Sequence, residues 1–243
     1  MTTGLTSRQT QILKAIVDEY ISTAEPVGSV ALDKKYNLGI SPATIRSEMV
    51  NLTKMKYLKQ PHTSAGRVPT PHAMKFYINQ LMEEKQMSVT DEVRTKEQVI
   101  DAKGNFEKIM EEATEALADR THSLAIAATD DGDVWRAGMS NIFDNPEFDN
   151  IAICHDIFTF LEEEKGLMDL FFQRLTGLTP VEVIFGPDLN TPSLADLGVV
   201  ATRFDINGKQ GAMGVVGPFR LNYQVVIPTV RYIRNLIQEL AGV

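Results

Sequence analysis

Two stretches of the chain bring together residues able to do chemistry. QPHTSAGRVPT, Gln60 to Thr70, sets His62 two positions before Ser64 and the cation Arg67 three further on. A histidine beside a hydroxyl is the start of a nucleophilic site, with the imidazole as base. Such a site needs a third group that orients the base, and no carboxylate stands nearby in the sequence. The same residues suit a stiff hairpin better. Its prolines restrain the two arms, Gly66 permits the turn, and Thr63 and Ser64 place hydroxyls near the tip. Arg67 then offers charge to a phosphate or a minor groove.

The second stretch, ISPATIRSEMVNL, runs from Ile40 to Leu52. Arg46 carries the fork that pairs with the O6 and N7 of a guanine, and Asn51 can reach an adenine edge or a phosphate. Thr44 and Ser47 can bond phosphates, and Ser41 with the free N–H groups of a first helical turn offers an anion site. The candidate DNA-binding set is therefore Ser41, Thr44, Arg46, Ser47, Asn51, His62, Thr63, Ser64 and Arg67. The alternatives are a solvated helix face and a surface hairpin, neither touching a ligand.

These residues need elements to present them. Thr6 with Gln9 forms a capping-box pattern, and Ile12, Leu13, Ile16, Val17, Tyr20 and Ile21 follow at helical spacing. Pro26 and Gly28 end that helix. A short helix fits Ser29–Tyr36, with Val30, Ala31 and Leu32 available for packing, and Asn37 or Gly39 takes positive φ in the turn after it. Ser41 as N-cap and Pro42 at the first helical position open a third helix whose Ile45, Met49 and Leu52 face inward. Extended arms at YLKQ and GRVPT follow. Helix, turn, helix and hairpin is the order of a winged helix-turn-helix.

Charge agrees with this division. The whole chain carries −8, yet residues 1–82 hold 10 Lys and Arg against 5 Asp and Glu, a net of +5. A basic first third on an acidic body confines any polyanion to the first domain. The apolar content supports a sizeable core, and no segment has the length of a signal peptide or membrane span. One cysteine, Cys154, suits a reducing, cytoplasmic setting and reads as a small core residue.

The remainder alternates helices and strands. Pro71 opens a helix with Met74, Tyr77 or Ile78, and Leu81 on one stripe; residues 81–104 read as a linker with partial helix. A helix from about Asn105 to Arg120 precedes a hairpin turning at Asp131-Gly132, a helical run from about Ile157 to Leu175, and a strand at VEVIF. Asn207-Gly208 joins two further strands and is the strongest hairpin signal. A last helix, about Tyr223 to Leu240, sets Val226, Val230, Ile233 and Ile237 on one side. The expected class is α+β.

Nothing in this part calls for catalysis. TDDGD at Thr129–Asp133 lacks the later ligands of a calcium loop, and His62, His72, His122 and His155 show no metal-binding spacing. GAMGVVG lies on a strand, the wrong context for a nucleotide fingerprint. No catalytic residue, metal or cofactor is expected, and the chain reads as a binding protein rather than an enzyme.

The motifs LTSRQTQILKAIVDEYISTAEPVGS, ISPATIRSEMVNL and QPHTSAGRVPT, with GMSNIFDNPEF and MGVVGPFRLNYQVVIPTVRYI, resemble the HrcA family of heat-inducible transcription repressors. The resemblance implies a winged helix-turn-helix domain (1–80), a helical linker (81–104) and a GAF-like α/β sandwich (105–243). It also implies a homodimer on an inverted-repeat operator in double-stranded DNA, repressing chaperone genes in the heat-shock stress response, with the chaperonin as modulator. Family members carry a dimerisation domain inserted in the GAF-like domain. Here LAIAA reaches GMSN after only a short hairpin, so that insertion is missing, and dimerisation falls to the helices at 71–120 or to the GAF-like domain itself. The competing reading is a regulator whose GAF-like domain senses a small molecule, which would need an apolar pocket with converging polar groups.

Overall fold

The computed structural model describes residues 4–189 and 194–241. The chain forms two compact units that divide between Glu83 and Glu84. Among the described residues no helix is long and apolar enough to cross a membrane.

The first unit is built on local signals. Helix α1 (Ser7–Thr23) opens with the capping box, Thr6 N–H donating to Gln9 Oε1 at 3.0 Å and Gln9 N–H to Thr6 Oγ1 at 3.2 Å. Its Ile12, Leu13, Ile16 and Val17 are buried. Helix α2 (Ser29–Tyr36) follows, and Asn37 and Gly39 both take positive φ in the turn after it. Only Ser29 and Leu32 of α2 are buried, whereas Val30 and Ala31 face solvent. An eight-residue helix resting on one edge has room for only that stripe, which corrects the packing expected of Val30 and Ala31. Helix α3 (Pro42–Lys54) buries Ile45, Met49 and Leu52 against these two helices.

Strands β1 (Leu58–Lys59) and β2 (Val68–Pro69) pair antiparallel as a short hairpin. Helix α4 (Pro71–Gln80) starts at Thr70, whose hydroxyl accepts the Ala73 N–H at 3.2 Å. Tyr77, fully buried, donates its hydroxyl to Asp18 Oδ1 at 2.5 Å and so ties α4 back to α1.

Residues 81–104, expected as a linker with partial helix, contain a regular helix, α5 (Val89–Ile100), with Thr95 and Val99 buried. The pattern Ser88-Val-Thr-Asp91 is a capping signal: Ser88 Oγ accepts the Asp91 N–H at 3.1 Å. Polar ties replace the apolar stripe that would have revealed the helix. Arg120 bonds Asp91, Tyr232 donates to the Glu92 carbonyl, and Gln98 donates to Glu112. Upstream, Arg231 grips Glu84 with two bonds of 2.6 and 2.8 Å and holds that carboxyl below its usual pKa.

A five-stranded antiparallel sheet organises the rest, in the order β4-β3-β7-β6-β5. Its strands are β3 (Leu124–Thr129), β4 (Val134–Ala137), β5 (Glu182–Phe185), β6 (Leu197–Ile206) and β7 (Lys209–Pro218). Asn207 and Gly208, at φ 54° and 85°, make the tight turn between β6 and β7. Helices α6 (Phe106–Thr121) and α9 (Tyr223–Ala241) cover one face, α9 with Val226, Val230, Ile233 and Ile237 buried as expected. The other face packs Leu124, Ile126, Val199 and Val216 against Phe148, Ile157, Leu161 and Phe171. Both faces are therefore covered, which explains why β3 is apolar at nearly every position instead of alternating.

The helical run expected from Ile157 begins earlier and is broken. It comprises α7 (Ile151–Glu162), capped by Asn150, a short α8 (Glu164–Met168), and a π turn at Asp169–Arg174. Extended backbone at Glu163 causes the break. Cys154 is buried, its thiol against the Phe148 carbonyl. Mixed helix and sheet agrees with the expected α+β class.

The buried Thr95 hydroxyl has no hydrogen-bond partner among the described residues. Thr95→Val keeps its shape and removes the desolvated group, so it should raise stability by about 1 kcal/mol, read by chemical denaturation.

Candidate nucleic-acid interface

The rotation of α3 is set by Ile45, Met49 and Leu52, and everything it displays follows from that. Ala43, Arg46, Ser47, Val50 and Lys54 are left exposed on the far side. Ser41 caps the helix, its Oγ accepting the Thr44 N–H at 3.2 Å and lying 3.0 Å from the Thr44 hydroxyl. Pro42 supplies the first helical position.

The candidate residues do not all share one face. Arg46 and Ser47 lie outward, and Arg46 lines a cleft between α3 and the hairpin. Asn51 turns to the opposite flank, where its amide donates to Glu48 Oε2 at 3.2 Å. The same oxygen accepts from Gln9 Nε2 at 3.0 Å, so Asn51 belongs to a network joining α3 to α1. Sequence periodicity separated inward from outward positions here but did not show which outward residues have intramolecular partners.

The hairpin also differs in its details from the sequence reading. Its tip is His62, Thr63 and Ser64, all exposed, with the Ala65 N–H closing a turn on the His62 carbonyl at 2.9 Å. Gln60 braces it, its amide donating to the Thr63 and Ala65 carbonyls at 2.8 and 3.1 Å. No sequence pattern pointed to that brace. Ser64 Oγ and His62 Nδ1 are 3.3 Å apart, yet among the described residues no carboxylate bonds that imidazole. The pair is an exposed contact without the oriented third group that nucleophilic catalysis needs.

Gly66, expected to permit the turn, takes no positive φ and is needed for a different reason. A Cβ there would stand 2.3 Å from the Val27 carbonyl oxygen and 2.8 Å from Pro26 C. The glycine is required because two backbones meet: Val27 and Arg67 exchange both N–H···O bonds at 2.9 Å. Arg67 is accordingly not at the tip. It sits half-buried at the hairpin base, with Nε donating to Thr53 Oγ1 at 3.2 Å and Nη1 to the Gly66 carbonyl at 3.3 Å.

This bridge creates a cleft of about 380 Å³ lined by Gly28, Ser29, Arg46, Gln60, Ser64 and Arg67. The N-terminus of α2 opens on it without a side-chain cap, because Gly28 occupies the N-cap. Uncapped amides and two guanidinium groups suit an anion. Cations are distributed to match. Lys14 is paired with Asp18 and Lys35 with Glu19, whose carboxyl Lys35 holds below its usual pKa. Arg46, Lys54, Lys56 and Lys59 have no ion-pair partner among the described residues.

The second unit offers less. A cleft of about 420 Å³ is lined by Phe106, Ile109, Ile206, Lys209 and Leu240, among others. Its cation is already engaged, with Lys209 Nζ 3.0 Å from Asp131 and 5.0 Å from the Phe106 ring centre. No group of three or more potential metal ligands occurs among the described residues.

Comparison with known proteins fits this geometry. The chain is 26% identical to the heat-inducible transcription repressor HrcA of Carboxydothermus hydrogenoformans, with 97% of this chain and 98% of that protein covered. It is 29% identical to the repressor of the same name from Desulforudis audaxviator, with 98% of each covered. The first alignment spans 336 positions but draws on 97% of a 243-residue chain. About 100 positions of that relative therefore stand opposite no residue here. A crystal structure of a hypothetical protein has a similar fold, with a TM-score of 0.80 at 18% identity over 98% of this chain and 99% of that one. Residues 69–227, well over half of the chain, match the family model for the HrcA protein C-terminal domain. The chain belongs to the HrcA family.

Proposed function

We propose that this chain is a sequence-specific, DNA-binding repressor of heat-shock (chaperone) genes, acting as a homodimer on an inverted-repeat operator. The observation that carries the reading is the outward face of α3 beside the hairpin cleft, set among Arg46, Lys54, Lys56 and Lys59, cations with no ion-pair partner among the described residues. Relatives covering nearly the whole chain are named heat-inducible transcription repressors. The family-model match begins at residue 69, so the support for residues 41–67 rests on those longer alignments and on the geometry.

In this reading the first unit is a winged helix-turn-helix. Helix α3 enters the major groove, Arg46 reads a guanine, and the α2 N-terminus with Arg67 holds backbone phosphate in the cleft. The wing tip, His62 to Ser64, follows the backbone or the minor groove, while Ser41 and Thr44 lie at the N-terminus of α3. Asn51 then positions α3 through Glu48 rather than reading bases. The second unit is a GAF-like sandwich serving assembly and regulation, with the chaperonin as modulator. Exposed Phe143 and Ile151 are apolar surface available there for a second copy. The small-molecule reading gains less, since the cation of the second unit's cleft is already neutralised.

Selection of randomised duplexes by the full chain, followed by mobility shifts with and without chaperonin, tests the proposal. It should yield an inverted repeat with half-sites a whole number of helical turns apart; binding no tighter than to random DNA would refute it. Arg46→Ala should cost about 1–3 kcal/mol on the selected site and little on random DNA, relaxing one base position. Lys54→Ala should weaken both duplexes alike and lower the slope of log K against log salt by about 1.

A further inference from the structure

Helix α3 carries an apolar group on its outward, basic side. Val50 lies on the outward side, 39% exposed, one turn beyond Arg46 and one turn before Lys54. Valine loses χ1 freedom in a helix and is a poorer choice there than alanine, lysine or arginine. Its neighbours make the surrounding surface basic. Arg46 and Lys54, each four residues away, have no ion-pair partner among the described residues, and residues 1–82 carry net +5. If α3 meets DNA as proposed above, the surface that faces Val50 is a polyanion, and the group it meets there must be apolar to be read by shape.

The major groove offers one such group. Among the base edges only thymine projects a methyl, at C5, while the rest of the groove floor is donors and acceptors. Residues i and i+4 of a helix stand side by side, about 6 Å apart along the axis. A side chain four residues beyond Arg46 therefore meets a base pair one or two steps from the guanine that Arg46 addresses. Resting on the DNA-binding reading above, we propose that Val50 is a specificity-determining residue that packs against the C5-methyl of a thymine in each half-site. Arg46 reads polarity at one position and Val50 reads shape at its neighbour.

The test removes the methyl and nothing else. The full chain and its Val50→Ala variant are titrated with the selected duplex and with copies in which one thymine per half-site is replaced by deoxyuridine. For the wild-type chain, deoxyuridine at one position should weaken binding about fourfold, the worth of one buried carbon. Val50→Ala should be insensitive to that replacement while keeping its guanine preference and salt slope, and Val50→Ile should restore the sensitivity. Val50 is partly exposed, so circular dichroism should show all variants folded. A wild-type chain indifferent to every replacement, or a Val50→Ala variant as sensitive as wild type, would overturn the assignment. If the wild-type chain selects no duplex at all, the DNA-binding reading itself fails, an outcome distinct from either.

Discussion

The first unit depends on the approach of two backbones at Val27 and Gly66. Any side chain at Gly66 would collide with the Val27 carbonyl, so the paired bonds between Val27 and Arg67 can form only if that position is bare. Those two bonds fasten the hairpin to the entrance of α2, and Arg67 extends the clasp to Thr53 at the end of α3. Three elements distant in sequence are thereby held around one cleft. The ladder itself is only two residues by two, and the clasp adds to the buried Leu58 and Val68 in fixing the hairpin's direction.

Electrostatics complete what the clasp arranges. On α1 and α2, Lys14 is paired with Asp18 and Lys35 with Glu19. Arg46 and Lys54 on α3 and Lys59 on β1 have no ion-pair partner among the described residues. A protein whose total charge is −8 thus presents a basic face, because the surplus lies in the first unit and is neutralised unevenly there. The packing of Ile45, Met49 and Leu52 presents Arg46 and Lys54 on the opposite, exposed side of α3, and this links it to the function proposed.

Much of this was legible from local chemistry. Capping residues Thr6 and Ser41 and the Asn207-Gly208 turn marked element boundaries, because each acts through its own immediate backbone. The buried faces of α3 and α9 followed from periodicity. What remained hidden was decided by partners remote in sequence. Gly66 looked like a turn residue because its collision is with Val27, some 39 positions earlier. Arg67 looked free because Thr53 lies on another element. The extent of helix α5 within a linker expected to be only partly helical was hidden because it is fastened by Arg120, Glu112 and Tyr232 rather than by an apolar stripe. Candidate residues were recognised by type, and only the fold separated Arg46, which is exposed, from Asn51, which is engaged by Glu48.

The central claim is that α3 and the adjoining hairpin form the surface that meets DNA. Amide hydrogen exchange of the full chain, compared with and without a selected duplex, tests it most directly. The account predicts slowed exchange in residues 42–54 and 60–67, with α1 little changed. Protection confined to residues 84–241 would contradict it.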